Sequence, residues 1–380
     1  MANEHMNFNE RLILAKIETT AGSDASPTPA NDTAEYTEFA WQLAPTLRER
    51  NVITPYGPGA RHQIGLTTAT FSAQQDLLAG AITAADGSDD PNFITMARYN
   101  GWSVQRNVTD KTVTLFCEPR LGETASIYER MSNSAGTDYN QAKLLGAIGN
   151  WSLELTAGNE LLFNSEGQAV ADTTYYTSVN SALSGGSLSD DGILRAEDAT
   201  FRLYNPTGTV MFGGGSLASP GENLDLISMT LDGNRDIAPM PGVTGSFGVK
   251  QYRVNQTGRI TGTMRIWAGN LDEWNMYTYL LDANALYFGL DLTPPGAATT
   301  TVRLAFWLQP TGAVKTELDG FAVYDVPFAV LFPADGDNDP AAGVNPEQAW
   351  NDDTANIGLI DDTNITPPAG APIFIQVHTT

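Results

Sequence analysis

Carboxylates are the reactive groups that this chain offers in quantity, with 44 Asp and Glu among 380 residues against 20 Lys and Arg. Glycoside hydrolysis needs only two of them, placed on either side of a bond, and Glu154 with Glu166 or with Asp76 is the candidate pair. Acids are so frequent here that such a pair arises by chance. Asp335-Gly-Asp337-Asn-Asp339 has the opening spacing of a calcium loop. The sixth position, where that loop needs Gly, holds Pro340, and the distal Glu is out of place. A weak solvent-facing calcium site and a solvated acidic turn both fit those residues.

Other chemistries find less. His5, His62 and His378 lie near the termini or in the loop YGPGARHQIG, and no two have the spacing of a metal-binding pair. None stands near a Gly-x-Ser-x-Gly elbow that could serve nucleophilic catalysis. Gly213-Gly214-Gly215-Ser216 lacks the Lys and the following helix of a phosphate loop. Cys117 is the single cysteine, which excludes an intrachain disulfide and a multi-thiolate metal centre. In VTLFCEP it alternates with Val113 and Leu115, as a small buried strand residue does. The N-x-Ser/Thr triplets at Asn107, Asn150, Asn255 and Asn364 occur as often as a Thr-rich chain yields them by chance. These residues point to no enzyme, no cofactor and no tightly held metal, and to a protein that works through its surface.

The elements that would carry that surface are mainly β. The clearest is Gly146–Gly167, GAIGNWSLELTAGNELLFNSEG. Trp151, Leu153 and Leu155 alternate with Ser152, Glu154 and Thr156. After Ala-Gly-Asn, Leu161 and Phe163 oppose Glu160, Asn164 and Glu166. Period-two alternation around a Gly-containing turn predicts a hairpin with one buried face and one polar face, acidic wherever it is charged. Further strands are expected at 35–42, 47–53, 65–78, 104–117, 125–131, 200–204, 224–231, 245–254, 258–266, 302–308, 321–332 and 373–377. Helical signals occur at Phe8–Lys16, after Ser88-Asp89-Asp90-Pro91 (Phe93, Met96 and Ala97, ended by Gly101), and from Asn270 through Glu273, Trp274, Tyr277 and Leu281. The order of strands, helix, strands, hairpin, then strands, helix, strands suggests one unit used twice.

This divides the chain into an N-terminal arm (1–34), a β domain (35–333) with a loose insertion near 175–198, and an acidic extension (334–380). The extension is too poor in apolar residues to fold alone. No Lys or Arg follows Lys315, and the net charge is −24. Such a charge argues against a nucleic-acid reader, which needs a basic patch. No stretch approaches the ~18 apolar residues of a helical membrane span. MANEHMNFNERLILAKIE does not read as a secretion signal, so a soluble protein made in a reducing cytosol is expected.

The sequence resembles the major tail tube proteins of long-tailed bacteriophages. MNFNERLILAKIETTAGSDASPTPANDT looks like their opening, in which a short apolar stretch leads through K-x-E-x-x-x-G-x-D-x-x-P-T into an extended strand. LAPTLRERNVITPYG with GLTTATFSAQQDLLAG, then PNFITMARYNGW, then the hairpin follow in the family's order. LDGNRDIAPMPGVTGSFGVKQYRVNQTGRITGTMRIWAGNLDEW and ELDGFAVYDVPFAVLFP are similar to its later strands, helix and closing strand. The likeness spans residues 8–333, and the chain is longer than many tube proteins at 175–198 and in its acidic tail.

The resemblance implies a mainly β, sandwich- or barrel-like tube fold with two short flanking helices and extended arms. It implies homohexameric rings stacked into the hollow virion tail, assembled in the host cytoplasm with partners such as a tape measure and a tail terminator. Phage DNA would pass through without specific binding. Glu154, Glu160 and Glu166 are then expected to face the lumen, and Phe8, Leu12, Leu14 and Ile17 to form an inter-subunit arm. A virion decoration protein or an adhesin-like carbohydrate binder is the alternative.

Overall fold

In this computed structural model the described residues are 6–54, 57–79, 93–107, 111–133, 137–179, 192–194, 199–204, 210–212, 226–241, 249–267, 280, 286–292, 300–331 and 373–379. They are overwhelmingly extended. The first half forms β1 (Met6–Ile17), β2 (Glu38–Thr54), β3 (Gly57–Asp76), β4 (Leu78–Ala79) and helix α1 (Phe93–Tyr99). It continues with β5 (Trp102–Asn107), β6 (Thr112–Cys117), β7 (Ala125–Asn133), β8 (Tyr139–Thr156), β9 (Leu162–Val179) and β10 (Gly192–Ile193). After these come β11 (Ala199–Tyr204), β12 (Val210–Phe212), β13 (Leu226–Asp232), β14 (Arg235–Pro241), β15 (Val249–Thr257) and β16 (Thr261–Trp267). The chain closes with β17 (Leu286–Leu292), β18 (Thr300–Pro310), β19 (Val314–Leu318), β20 (Phe321–Val330) and β21 (Ile373–Thr379).

Seventeen of these strands belong to one connected antiparallel sheet that doubles over on itself. Its first layer runs β2-β3-β9-β8-β13-β16-β20-β19, and β7 and β1 continue from the N-terminal half of β8. Its second layer runs β5-β6-β21-β18-β17-β11-β12. The layers join at a corner where Leu308–Pro310 of β18 pair with Phe328–Val330 of β20. Doubling over brings the apolar faces together. Trp102 of the second layer lies edge-on to Trp151 of the first at 5.0 Å, and Phe306 stacks on Phe328 at 5.7 Å. One core cluster runs through both layers, including Phe71, Leu153, Phe163, Met264, Val326, Leu290, Leu304 and Ile375.

The expected hairpin is present as β8 and β9, with Trp151, Leu153, Leu155, Leu161 and Phe163 buried. α1 covers the expected Phe93, Met96 and Ala97, and Gly101, whose φ is +92°, follows its end; Ser88–Pro91 lies outside the described residues. Several expectations change. The segment YGPGARHQIG, expected as a loop, belongs to β3 from Gly57, and the start of the expected insertion near 175–198 belongs to β9 through Val179. Phe8–Lys16 is strand, not helix: β1 pairs with β7 from Arg11↔Met131 to Ile17↔Ala125. Its run Leu12-Ile13-Leu14-Ala15 is apolar at every position because both faces are covered. Ile13 and Ala15 enter the core, and Leu14 is sealed by the returning loop, with Thr33 bridged to Leu14 and the Ala34 amide donating to the Ile13 carbonyl. The single strand expected over 104–117 is two, β5 and β6, antiparallel to each other. The end of the acidic extension packs into the core. Ile373, Ile375 and Val377 are buried, and β21 sits between β6 and β18. The second expected helix lies outside the described residues except for Leu280, which is helical. Asp335–Asp339 lies wholly outside them.

Candidate functional site

The first layer's other face is where the expected acids fall. Alternation places Glu38, Ala40 and Gln42 of β2, Ser72, Gln74 and Asp76 of β3, and Asn164 and Glu166 of β9 on it. Asn150, Ser152 and Glu154 of β8 and Thr230 and Asp232 of β13 follow. The ladders hold these rows side by side: Ala40↔Ser72↔Glu166↔Asn150 is one, and Gln74↔Asn164↔Ser152↔Asp232 is the next. Amide side chains lock neighbours together. Gln74 Nε2 donates to Asn164 Oδ1 at 2.9 Å, and Asn150 Nδ2 donates to Asp232 Oδ1 at 3.0 Å. The charged groups described on this face, from β2 to β13, are all carboxylates: Glu38, Asp76, Glu154, Glu166 and Asp232.

Glu154 and Glu166 are exposed there. Glu160 is half-buried in the β8–β9 turn, close enough to Asp76 that burial and the Glu160 charge together push the Asp76 carboxyl above its ordinary value. The face therefore carries two of the three expected acids on strands and the third at its end. Asp232 and Glu38 belong to it as well. Alternation in their own strands marks both as outward-facing, but their sequence distance from the hairpin hides that they share its surface. The pairs considered for glycoside hydrolysis do not oppose each other. Glu154 pairs with Leu162, four residues before Glu166, which sets the two roughly 13 Å apart along the strands. Asp76 and Glu154 flank Leu162 from opposite sides.

The hairpin of β14 and β15 overhangs one end of this face. It is seated by Tyr252, Ile237 and Val254 against Ile148 and Val170. Between hairpin and sheet lies an open cleft of about 650 Å³, floored by Ser72, Glu166 and Gln168 and walled by Asp236 and Ile237. Arg235 starts the hairpin, but its guanidinium turns away from the cleft into the protein. It donates to the carbonyls of Gly149 (2.6 Å), Leu121 (2.5 Å), Pro119 (3.1 Å) and Tyr99 (3.5 Å). Burial pushes it down to about 10, well below an ordinary guanidinium. Gly101 is required beside it, since a Cβ there would stand 2.7 Å from the Arg235 Cζ. The one cation among the described residues that line the cleft is thus consumed in tying α1, the 118–121 loop and β8 together.

The expected arm residues are spent inside the chain where they can be followed. Leu14 is fully buried, Ile17 packs on the core and Leu12 is half-buried; the Phe8 side chain lies outside the described residues. Nearby, Glu18 anchors the loop that covers β1. Its Oε2 accepts from the Gly22 amide (2.7 Å) and Thr124 Oγ1 (2.6 Å), and its Oε1 from Ser126 Oγ and the Gly146 amide (both 2.8 Å). Cys117 is buried, and desolvation pushes its thiol far up. No cluster of His, Cys, Asp and Glu fit to hold a metal occurs among the described residues, and no described helix is long and apolar enough to cross a membrane. What the face can do is repel anions and offer hydrogen bonds over a broad, stiff surface. No protein-family model matches the chain, and no curated protein is significantly similar to it.

Proposed function

We propose that this chain is a structural virion protein whose copies close into rings, and that the rings stack into the hollow tail tube through which phage DNA leaves the capsid. One observation carries the reading: an eight-stranded antiparallel layer with an apolar face turned inward and an open face whose described charges are acidic across five adjacent strands, β2 to β13, beyond which Arg265 of β16 is paired with Asp325 of β20. A wall that conducts DNA must not hold phosphates, and carboxylates without Lys or Arg between them provide that by repulsion. Closing such a layer into a ring also removes the exposed strand edges that otherwise invite aggregation. In this reading Glu154 and Glu166, with Glu38 and Asp232, line the lumen, and Glu160 with Asp76 marks one end of the band.

Negative-stain microscopy of the purified full chain tests the proposal. Hollow stacked rings are the expected result. Monomers that persist at high concentration and in high salt would overturn it. Binding of those monomers to an assembled capsid lattice would favour a decoration protein, and binding to a glycan array an adhesin.

A further inference from the structure

The eight-stranded layer is the same four-strand unit laid down twice. In the first unit β2 pairs with β3, a later hairpin (β8 then β9) returns, β9 pairs with β3 and β8 lies outermost. In the second unit β13 pairs with β16, a later hairpin (β19 then β20) returns, β20 pairs with β16 and β19 lies outermost. Between the long pair and the returning hairpin, each unit sends one hairpin to the opposite layer, β5–β6 in the first and β17–β18 in the second. Registers agree as well. β3 meets β9 from Asp76↔Leu162 and β16 meets β20 from Trp267↔Val323. Two positions on, Gln74–Asn164 and Arg265–Asp325 are both side-chain-bonded pairs on the polar face.

The order repeats without reversing, and every neighbour is antiparallel, so equivalent strands point the same way. Such units are related head to tail, as successive subunits of a ring or of an open filament are, and not by a dyad. The β8–β13 ladder is therefore the joint between the two units within one chain. Its pairs are Ser152↔Asp232, Glu154↔Thr230 and Thr156↔Ser228.

Resting on the tube reading, we infer that β19 of one copy joins β2 of the next through this same ladder, so that three chains, not six, fill the six places of each ring. Transferring the register pairs Val314 with Gln42, Thr316 with Ala40 and Leu318 with Glu38 of the neighbouring copy. Both edges are suited to it. Among the described residues β19 pairs only with β20 and β2 only with β3. Glu38, Ala40 and Gln42 are exposed, and Val314 is 57% exposed, an unusual state for a strand valine. The Phe39 carbonyl already accepts from Arg11 at 2.7 Å and keeps a second lone pair for the incoming strand.

Size favours three. With strands ~4.8 Å apart and tilted ~40°, 24 strands close at a backbone radius of roughly 24 Å, and the 48 strands of six chains at about twice that. Around a duplex of roughly 10 Å radius the smaller ring leaves its carboxylates within about one Debye length of the phosphates. The larger ring leaves them several lengths away, where salt would screen the repulsion that the acidic wall supplies.

The test is a full-length double variant, Ala40→Cys with Thr316→Cys, assembled and then oxidised. Cys117 is buried and does not compete. On a non-reducing gel the covalent ladder should end at three chains, and either single variant should give no ladder. A ladder running to six would leave the tube reading standing and overturn the three-chain ring. Rings that form without cross-linking would overturn the edge assignment alone. Absence of both rings and cross-links would overturn both proposals. Native mass of rings from the unmodified protein, three chains of 40.7 kDa expected against six, decides the count even if the variant misfolds.

Discussion

Glu18 is a carboxylate with its acceptor capacity committed to two backbone amides and two hydroxyls from three separate stretches of chain. Replacing it with Ala strands four donors in a site only 8% exposed. We expect Glu18→Ala to cost about 2–4 kcal/mol, read as a lower urea midpoint at unchanged slope, with Glu18→Gln intermediate. A loss under about 0.5 kcal/mol, the size of an ordinary surface substitution, would mean that water replaces those bonds freely. Asp24 behaves differently because it is titratable in a useful range. Burial raises its carboxyl, but hydrogen bonds from Tyr128, Lys143 and the Ser26 amide outweigh that and hold it below its ordinary 3.8. A carboxyl depressed on folding contributes stability above the unfolded value and loses it as pH falls through the folded one. The stability gap between the parent and Asp24→Asn should accordingly be constant from pH 7 to pH 5 and close below pH 3.8. A gap that instead persists to pH 2 would assign the effect to packing.

At the scale of elements the C-terminal strand is the part that most reverses expectation. β21 bridges β6 and β18, so removing it opens the second layer down its middle and bares the faces of both neighbours. A chain ending before Ile373 should lose cooperative thermal unfolding, monitored by circular dichroism; retention of the parent's melting curve would show β21 to be dispensable. The alternation of Ile373, Ile375 and Val377 was legible, but its partners were not. Thr114 and Gln376, which bond side chain to side chain, are 262 residues apart, and nothing local announces such a pairing. The same limit explains the rest. Strict alternation over 150–166 identified β8, β9 and their two faces, because a strand with one wet side carries its own signature. β1 has no wet side over Leu12–Ala15, and a continuous apolar run reads equally as helix or strand. The break between β5 and β6 was hidden because Thr109-Asp110-Lys111 carries no Gly or Pro, and Lys111 itself takes the left-handed conformation at φ 51°.

For the molecule as a whole, charge and repetition have to be read together. A net charge of −24 opposes association of copies, and the opposition is screened by salt. Ring formation driven by strand pairing should thus strengthen as ionic strength rises, the reverse of assembly driven by ion pairs. The acids also fix which side of the wall meets DNA. Glu154→Lys with Glu166→Lys turns the centre of the open face basic while leaving the core face of β8 and β9 untouched. Tubes of this variant assembled with linear duplex DNA at low salt should hold it, and release it as salt rises, since each neutralised phosphate returns a counterion. Binding alone would not reveal which side the lysines are on, because a basic outer wall binds DNA as well. Nuclease treatment separates the two. DNA held in the lumen stays intact inside a wall of paired strands, whereas DNA on the outside is digested at the rate of free duplex. Protection in the variant, with no DNA retained by the parent, is the expected outcome. Retention with full digestion would put the acidic face outside and leave the repeated sheet without its conduit.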